Sequence, residues 1–305
     1  MSLVPSAFAA DVTRRFGEVG SGWLASLPAR ILEVCTRWEL DLQGLIGFGT
    51  WSVVYAVQQH ERAAALKVSW PHGDTFEREV RVLQLWSGNG AVRVLRADTE
   101  RHALLLERLD ATTRLRHVDI EEALRVAGGL LRRHALPAPF DVPTLASLAL
   151  DLIDGIEAQW EKLRRPMPRA VVERARSLAR HLLPDVDEKL VNWDVHYDNV
   201  LRGTREPWQV IDPQVVAGDV EYGVAQLLWW RLEDIEARGG VRWALDVLTE
   251  AAALDVRRLE GWVYVRTVAY WLSGLEGGLT VDPERCRQVI AALDRPGAAL
   301  TRLGR

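Results

Sequence analysis

Between residues 40 and 106 the apolar residues of this chain come in short runs separated by turn residues; beyond Asp110 they recur at helical spacing. This switch of period restricts the fold more than any other feature of the sequence. Ser52–Val57 and Ala64–Val68 read as two strands joined by the polar turn Gln58–Arg62. Residues 92–95 and 103–106 read as two more, and Thr75–Trp86 carries Phe76, Val80, Leu83 and Trp86 at helical intervals. Residues 1–40 predict one or two short amphipathic helices with breaks at Gly20, Gly22 and Pro28. Helices are also predicted over Glu121–Arg133, Thr144–Leu163, Ala170–Leu182, Glu221–Glu236, Val241–Leu254 and Asp255–Leu272. One stretch interrupts them: Val191–Leu201 and Trp208–Asp212 read as a strand–loop–strand pair. The order implies an α+β chain, with an antiparallel sheet and one main helix in residues 1–108 and a mostly helical part in 109–305. Residues 1–40 form a helical extension of the first part.

Composition removes several classes. With 48% hydrophobic and 26% charged residues the chain is that of a globular protein, and a net charge of −4 lacks the basic excess of a general nucleic-acid binder. No apolar run is long enough to cross a membrane, and the first residues lack the basic start and apolar stretch of a secretion signal. Two cysteines, Cys35 and Cys286, make no disulfide framework, so a cytoplasmic location is expected. The sequence says nothing of oligomeric state.

Of 38 basic residues only Lys67, Lys162 and Lys189 are lysines. In so arginine-rich a chain, a lysine marks a place where a guanidinium does not serve. Lys67 is centred in the apolar strand Ala-Leu-Lys-Val, where a buried ammonium needs an anionic partner. The α- and β-phosphates of a nucleotide would supply one, with Glu79 of the following helix holding the amine, in preference to Glu77. Upstream, Gly47-Phe48-Gly49-Thr50-Trp51-Ser52 is a glycine turn through which backbone N–H groups can approach phosphate. Val191-Asn192-Trp193-Asp194-Val195-His196-Tyr197-Asp198-Asn199-Val200-Leu201 is followed by Val210-Ile211-Asp212-Pro213. An Asp and an Asn in one loop, then an Asp ending a hydrophobic strand, are what phosphoryl transfer needs. Asp194 would orient an acceptor hydroxyl and take its proton, while Asn199 and Asp212 would hold Mg²⁺ against the phosphates of ATP.

In this order the glycine turn, strand lysine, helix glutamate, D-x-H-x-x-N loop and terminal I-D-P resemble the aminoglycoside phosphotransferase family, which has a protein-kinase-like bilobal fold. LVNWDVHYDNVL, REPWQVIDP and GDVEYGVAQLLW look like its streptomycin 6-phosphotransferase and hydroxyurea phosphotransferase branch. The resemblance spans Leu24 to Arg231 and implies that Lys67 and Glu79 position ATP, with Gly47, Gly49 and Ser52 at its phosphates. Asp194 would be the catalytic aspartate, His196 a support of its loop, and Leu106-Glu107-Arg108-Leu109 the hinge where backbone groups meet adenine. Three positions depart from the family. Asn192-Trp193 stands where His-Gly is usual. Gly223 stands where many relatives have an Asp that braces the loop, so that the brace is expected elsewhere, at Asp219. Trp230 replaces a polar Asn.

A small-molecule hydroxyl acceptor is implied. Polycationic aminoglycosides call for carboxylates and flat aromatic faces. Asp151, Asp154 and Glu157 share one predicted helix, and Glu233 and Asp234 lie near Trp230 on another. A solvated acidic face over a tryptophan-filled core would leave the same pattern, and neutral hydroxyurea needs none of it. Other readings are a kinase of an unrelated metabolite and a catalytically silent nucleotide-binding regulator; the latter draws on Asn192-Trp193 and Gly223.

Overall fold

The computed structural model describes residues 3–71 and 73–295. The chain divides into two compact units: residues 1–113 with 201–211, and residues 114–200 with 212–305.

The first unit is built on a five-stranded antiparallel sheet, in the order β1-β2-β3-β5-β4. Its strands are β1 (Asp41–Phe48), β2 (Ser52–Gln59), β3 (Arg62–Ser69), β4 (Val94–Asp98) and β5 (Ala103–Glu107). A long helical segment, α1 (Ser6–Trp38), precedes them, and α2 (Thr75–Trp86) follows β3. The breaks expected at Gly20, Gly22 and Pro28 do not end α1; it bends instead at Gly17, whose φ of 55° with ψ of −131° is a conformation glycine alone reaches without strain. Phe8, Val12, Trp23, Leu27, Ile31 and Trp38 of α1 pack on Val53, Tyr55, Leu66 and Val68 of the sheet. The extension is therefore part of this unit's core.

Strands β6 (Asp110–Arg114), β8 (Val200–Arg202) and β9 (Trp208–Val210) form a three-stranded sheet, in the order β6-β8-β9. A division at residue 108 does not anticipate the return of 201–211 to the first unit. The cause is a non-local pairing: Val92 N donates to Val210 O at 2.9 Å, and Val210 N to Gly90 O at 2.8 Å.

The second unit contains β7 (Lys189–Asn192), paired antiparallel with β10 (Val215–Gly218), and eight helices among the described residues. These are α3 (Ile120–His134), α4 (Leu145–Lys162), α5 (Arg169–Leu182), α6 (Ala225–Trp230), α7 (Leu232–Arg238), α8 (Gly240–Ala252), α9 (Val256–Glu276) and α10 (Val281–Leu293). Helix α9 is buried on nearly every side from Leu259 to Val268, as a central helix must be. The single helix expected over 221–236 is broken. A 3-10 turn spans Val220–Gly223, and Arg231 leaves helical geometry at φ −129° while its Nη1 donates to Val118 O. Helix α10 lies beyond the expected helices, although Cys286, Val289, Ile290 and Leu293 carry its buried face at legible spacing. Among the described residues no helix is long and apolar enough to cross a membrane.

Candidate active site

In the first unit, β3 is a central strand, with Lys67 opposite Val54 of β2 and Leu104 of β5. Glu79 falls on the buried face of α2 with Phe76 and Leu83, because residues three and four apart share a helix face. Lys67 Nζ donates to both Glu79 oxygens, at 2.7 and 2.8 Å. Each side chain is only 6% exposed, so this is a buried ion pair. The glycine turn is tied down on one side. Gly49 N donates to Ser52 O at 2.9 Å, and Trp70 N to Trp51 O at 2.6 Å. Phe16 of α1 packs against both indoles, 5.3 Å from Trp51 and stacked 4.7 Å from Trp70. Gly47 lies in β1, opposite Val54, and Ser52 is buried at the start of β2.

Glu107 closes β5 with its carboxylate turned inward. Burial raises its pKa, but bonds from Arg205, the Arg93 N–H and Gln209 outweigh this and hold it below the usual value. Arg205 Nη2 reaches it at 2.7 Å and Arg93 N at 2.8 Å. Its own N–H donates to Arg93 O at 3.0 Å. The side chain thus joins β5 to residues 205–209 within the unit.

In the second unit, Asn192 ends β7, and its Oδ1 accepts from Asp194 N at 3.1 Å and Gln214 N at 3.2 Å. One amide oxygen pins the loop to the strand pair. Asn199 Nδ2 donates back across the loop to Asp194 O at 3.2 Å and Asp194 Oδ2 at 3.3 Å. Tyr197 is buried with its hydroxyl on Leu227 O at 2.8 Å, and Arg114 and Arg116 hold Asp198 from outside.

These contacts set the electrostatics of Asp194. Burial pushes its pKa up to about 6, against the opposing effects of Arg266, a hydrogen bond from Gln226 and another from Asn199; Asp212 adds to the rise. His196 is held down to about 4, chiefly by burial. Its Nδ1 accepts from Asp198 N at 3.2 Å, so the ring is neutral, and it stacks on Trp230 at 4.0 Å. Asp212 takes a left-handed φ of 50°, which costs a non-glycine residue about 1 kcal/mol. Because the Asn199 amine is committed to Asp194, its amide oxygen is the atom left for a cation. With the Asp212 carboxylate that makes two hard oxygen donors, a set that suits Mg²⁺ sharing its remaining positions with phosphate and water. Among the described residues no cluster of three or more acidic, His or Cys side chains could hold a metal by itself.

The three departures from the family pattern also have accounts. Trp193 forms one wall of an aromatic cage around Arg266, whose guanidinium lies 5.2 Å from Trp193, 5.2 Å from Tyr222 and 5.8 Å from Trp229. At Gly223 a Cβ would come within 2.8 Å of Leu131 Cδ2 and 2.9 Å of Asn192 O, so an aspartate has no room. The brace expected at Asp219 goes elsewhere. Asp219 accepts from Asp187 N at 2.8 Å, from Arg258 Nε at 2.7 Å and from Trp262, securing α9 and the entry to β7. Asn192 and Asn199 hold the loop instead.

A cavity of about 860 Å³ opens beside Asp194, walled by Asp151, Trp193, His196, Trp230, Arg266 and Tyr270 among others. Of the expected acceptor residues, Asp151 and Trp230 line it. Asp154 and Glu157 do not, and Glu157 is paired with Arg169 and Arg176. Glu233 and Asp234 also lie outside its lining, paired with Arg285 and Arg231. Gln226, Arg266, Tyr222, Tyr270 and Glu276, none of them a candidate from the sequence, are also in the lining. Arg266 had a signal of the kind that marked Lys67: a cation inside the apolar run Trp262–Val268.

Comparison with known proteins agrees with this geometry. The family model for aminoglycoside/hydroxyurea antibiotic resistance kinases matches residues 37–275. The chain is 35% identical to streptomycin 6-kinase of Streptomyces griseus over 300 residues, 96% of this chain and 97% of that protein. It is 32% identical to hydroxyurea phosphotransferase of Kitasatospora aureofaciens, over 92% of this chain and 83% of that one. Among solved structures, the aminoglycoside phosphotransferase APH(4)-Ia in a ternary complex with ADP and hygromycin B superposes with a TM-score of 0.62 at 16% identity, covering 87% of this chain and 98% of that one. The protein-kinase-like fold, the motif order and the length of the match converge: this chain belongs to the aminoglycoside/hydroxyurea antibiotic resistance kinase family.

Proposed function

We propose that the protein transfers the γ-phosphoryl group of ATP to a hydroxyl of a small antibiotic, an aminoglycoside of the streptomycin type at its 6-hydroxyl or hydroxyurea, and so confers resistance. Asp194 accepts the hydroxyl proton and aims the oxygen at phosphorus, with neutral His196 supporting the loop beneath it. Asn199 and Asp212 hold magnesium, which when bound neutralises charge on the phosphates. Lys67, fixed by Glu79, engages the α- and β-phosphates; Gly47, Gly49 and Ser52 offer backbone N–H groups to them, and the backbone near Glu107 meets adenine. Residues 1–108 are thus the ATP-handling part, and residues 109–305 carry the catalytic loop and the acceptor helices.

The observation that carries this reading is a carboxylate kept basic by burial, at the wall of a cavity of about 860 Å³. Sites for drug-sized ligands run from about 300 to 1,000 Å³, which favours the aminoglycoside over hydroxyurea. Within the wall Glu276 is neutralised by Lys162 at 2.6 Å, which leaves exposed Asp151 to meet a guanidinium or amine. The silent-regulator reading loses its footing, because Asn192 and Trp193 sit in a well-held loop and Gly223 packs where a side chain would strike Leu131 and the Asn192 carbonyl. ADP release measured with streptomycin and with hydroxyurea tests the proposal. Turnover with streptomycin that is lost in Asp151→Asn through KM supports the acceptor assignment; turnover with neither acceptor removes it.

A further inference from the structure

Of the string REPWQVIDP the proposed reaction uses only Asp212; the residues before it are built around Arg205. Each of the five guanidinium N–H groups has a partner inside the first unit. Nη2 donates to Glu107 Oε1 at 2.7 Å and to Ala91 O at 3.0 Å, and Nε to Glu107 Oε2 at 3.3 Å. Nη1 donates to Gly88 O, and to Glu206 Oε1 at 2.8 Å. Gln209, fully buried, runs beside it: its Nε2 donates to Glu107 Oε1, and to Ala91 O at 3.2 Å. Two glycines make the room. At Gly88, whose φ is 81°, a Cβ would come within 3.0 Å of Arg205 Nη2, and at Gly203 one would overlap Gln209 Oε1.

These bonds join three segments. Glu107 closes β5 in the hinge 106–109; residues 88–91 follow α2, which carries Glu79; and β9 ends at Val210, two residues before Asp212. The main chain continues the join through the Val210 bonds to Gly90 and Val92. An exposed arginine pair contributes little. Arg205 is only 23% exposed and spans two carboxylates and two carbonyls, an arrangement that its planar fork fits and a lysine does not.

We propose that Arg205, backed by Gln209, is a positioning residue for ATP: it fixes the Glu107 carboxylate and the carbonyls of Gly88 and Ala91 to the segment 205–210, and so holds the hinge backbone where adenine binds. This rests on the reading of residues 106–109 as the adenine site. Arg205 acts through that backbone, so its loss weakens ATP binding and spares the acceptor.

The experiment compares wild type with Arg205→Met, Arg205→Lys and Arg205→Met/Glu107→Gln. It reads the Kd of Mg-ATP by calorimetry, both KM values by ADP release with streptomycin, and the melting temperature. Arg205→Met should raise Kd and KM for ATP about tenfold, the scale of one lost hydrogen bond to a charged group, with KM for streptomycin within about threefold of wild type. Arg205→Lys should stay close to Arg205→Met, since a point donor does not span the oxygens that the fork reaches. Arg205→Met/Glu107→Gln removes the carboxylate charge together with the guanidinium, while glutamine keeps an oxygen for Arg93 N. Its melting temperature should recover toward wild type, and its ATP Kd should not. A folded double variant whose ATP Kd is within about threefold of wild type, or an equal rise in KM for streptomycin, overturns the proposal. Should neither Met variant fold, Arg205→Lys decides by the same criterion. Wild type that binds Mg-ATP but phosphorylates no acceptor overturns the acceptor reading instead, and the Kd values still decide for Arg205.

Discussion

Removing the cation of the Lys67–Glu79 pair tests whether the pair holds the first unit together as well as serving ATP. Both side chains are 6% exposed, and the ammonium makes hydrogen bonds of 2.7 and 2.8 Å to the carboxylate. Lys67→Met takes from buried Glu79 the ammonium it bonds, and Glu79→Met takes from Lys67 that carboxylate; breaking such a pair costs about 3–5 kcal/mol either way. Lys67→Met/Glu79→Met removes both charges, and apolar replacement of a buried pair is close to neutral, so the double variant should return to within about 1–2 kcal/mol of wild type. Urea titration followed by tryptophan fluorescence reads this directly. With a slope of about 1–3 kcal/mol per molar, each single substitution moves the midpoint down by about 1–5 M, and the double moves it back. Activity should not return, because the double variant has no amine for the phosphates. Lys67→Arg should also turn over slowly despite its charge, since a planar fork does not replace a point donor. A double variant no more stable than the worse single would refute the reasoning.

Three further outcomes follow from single sites. Asp194 has a pKa of about 6 where an ordinary aspartate has 3.8, so the fold favours its neutral form. The proton-accepting form is then lost as pH falls through about 6, and kcat/KM should drop about tenfold per pH unit below that. Stability runs the other way, being greatest below the ordinary value and lost as pH rises through about 6; Asp194→Asn should be more stable at pH 7–8 by on the order of 2 kcal/mol, an advantage gone by about pH 4 in thermal melts. Phe16→Ala removes the ring between Trp51 and Trp70 and should raise KM for ATP several-fold without moving KM for the acceptor. Gly223→Ala drives a Cβ against Leu131 and the Asn192 carbonyl and should lower stability by about 1–3 kcal/mol, with kcat falling as the loop shifts.

What could be read from the sequence were groups whose burial contradicts their chemistry. A lysine in an apolar strand and a glutamate at an apolar helix position announce each other, and the structure joins them. The order Asp194, Asn199, Asp212 was legible because loop and strand signals frame it. Contacts set by distant partners were not. Glu157 and Glu233 look available until Arg169, Arg176 and Arg285 arrive from other helices. The return of 201–211 to the first unit depends on Val92 meeting Val210 across more than a hundred residues. The helix expected over 221–236 failed at Arg231, where a bond to Val118 O competes with helical geometry. Gln226 meets Arg266 from another helix, and local periodicity does not reveal that link.

The central claim is phosphoryl transfer to a small antibiotic's hydroxyl, with Asp194 as base. Mass spectrometry of streptomycin and of hydroxyurea, each incubated with the protein, ATP and magnesium, tests it most directly. Wild type should add the mass of one phosphoryl group to at least one acceptor, and Asp194→Ala to none. Unmodified acceptors in both samples, or equal modification by wild type and variant, would contradict it.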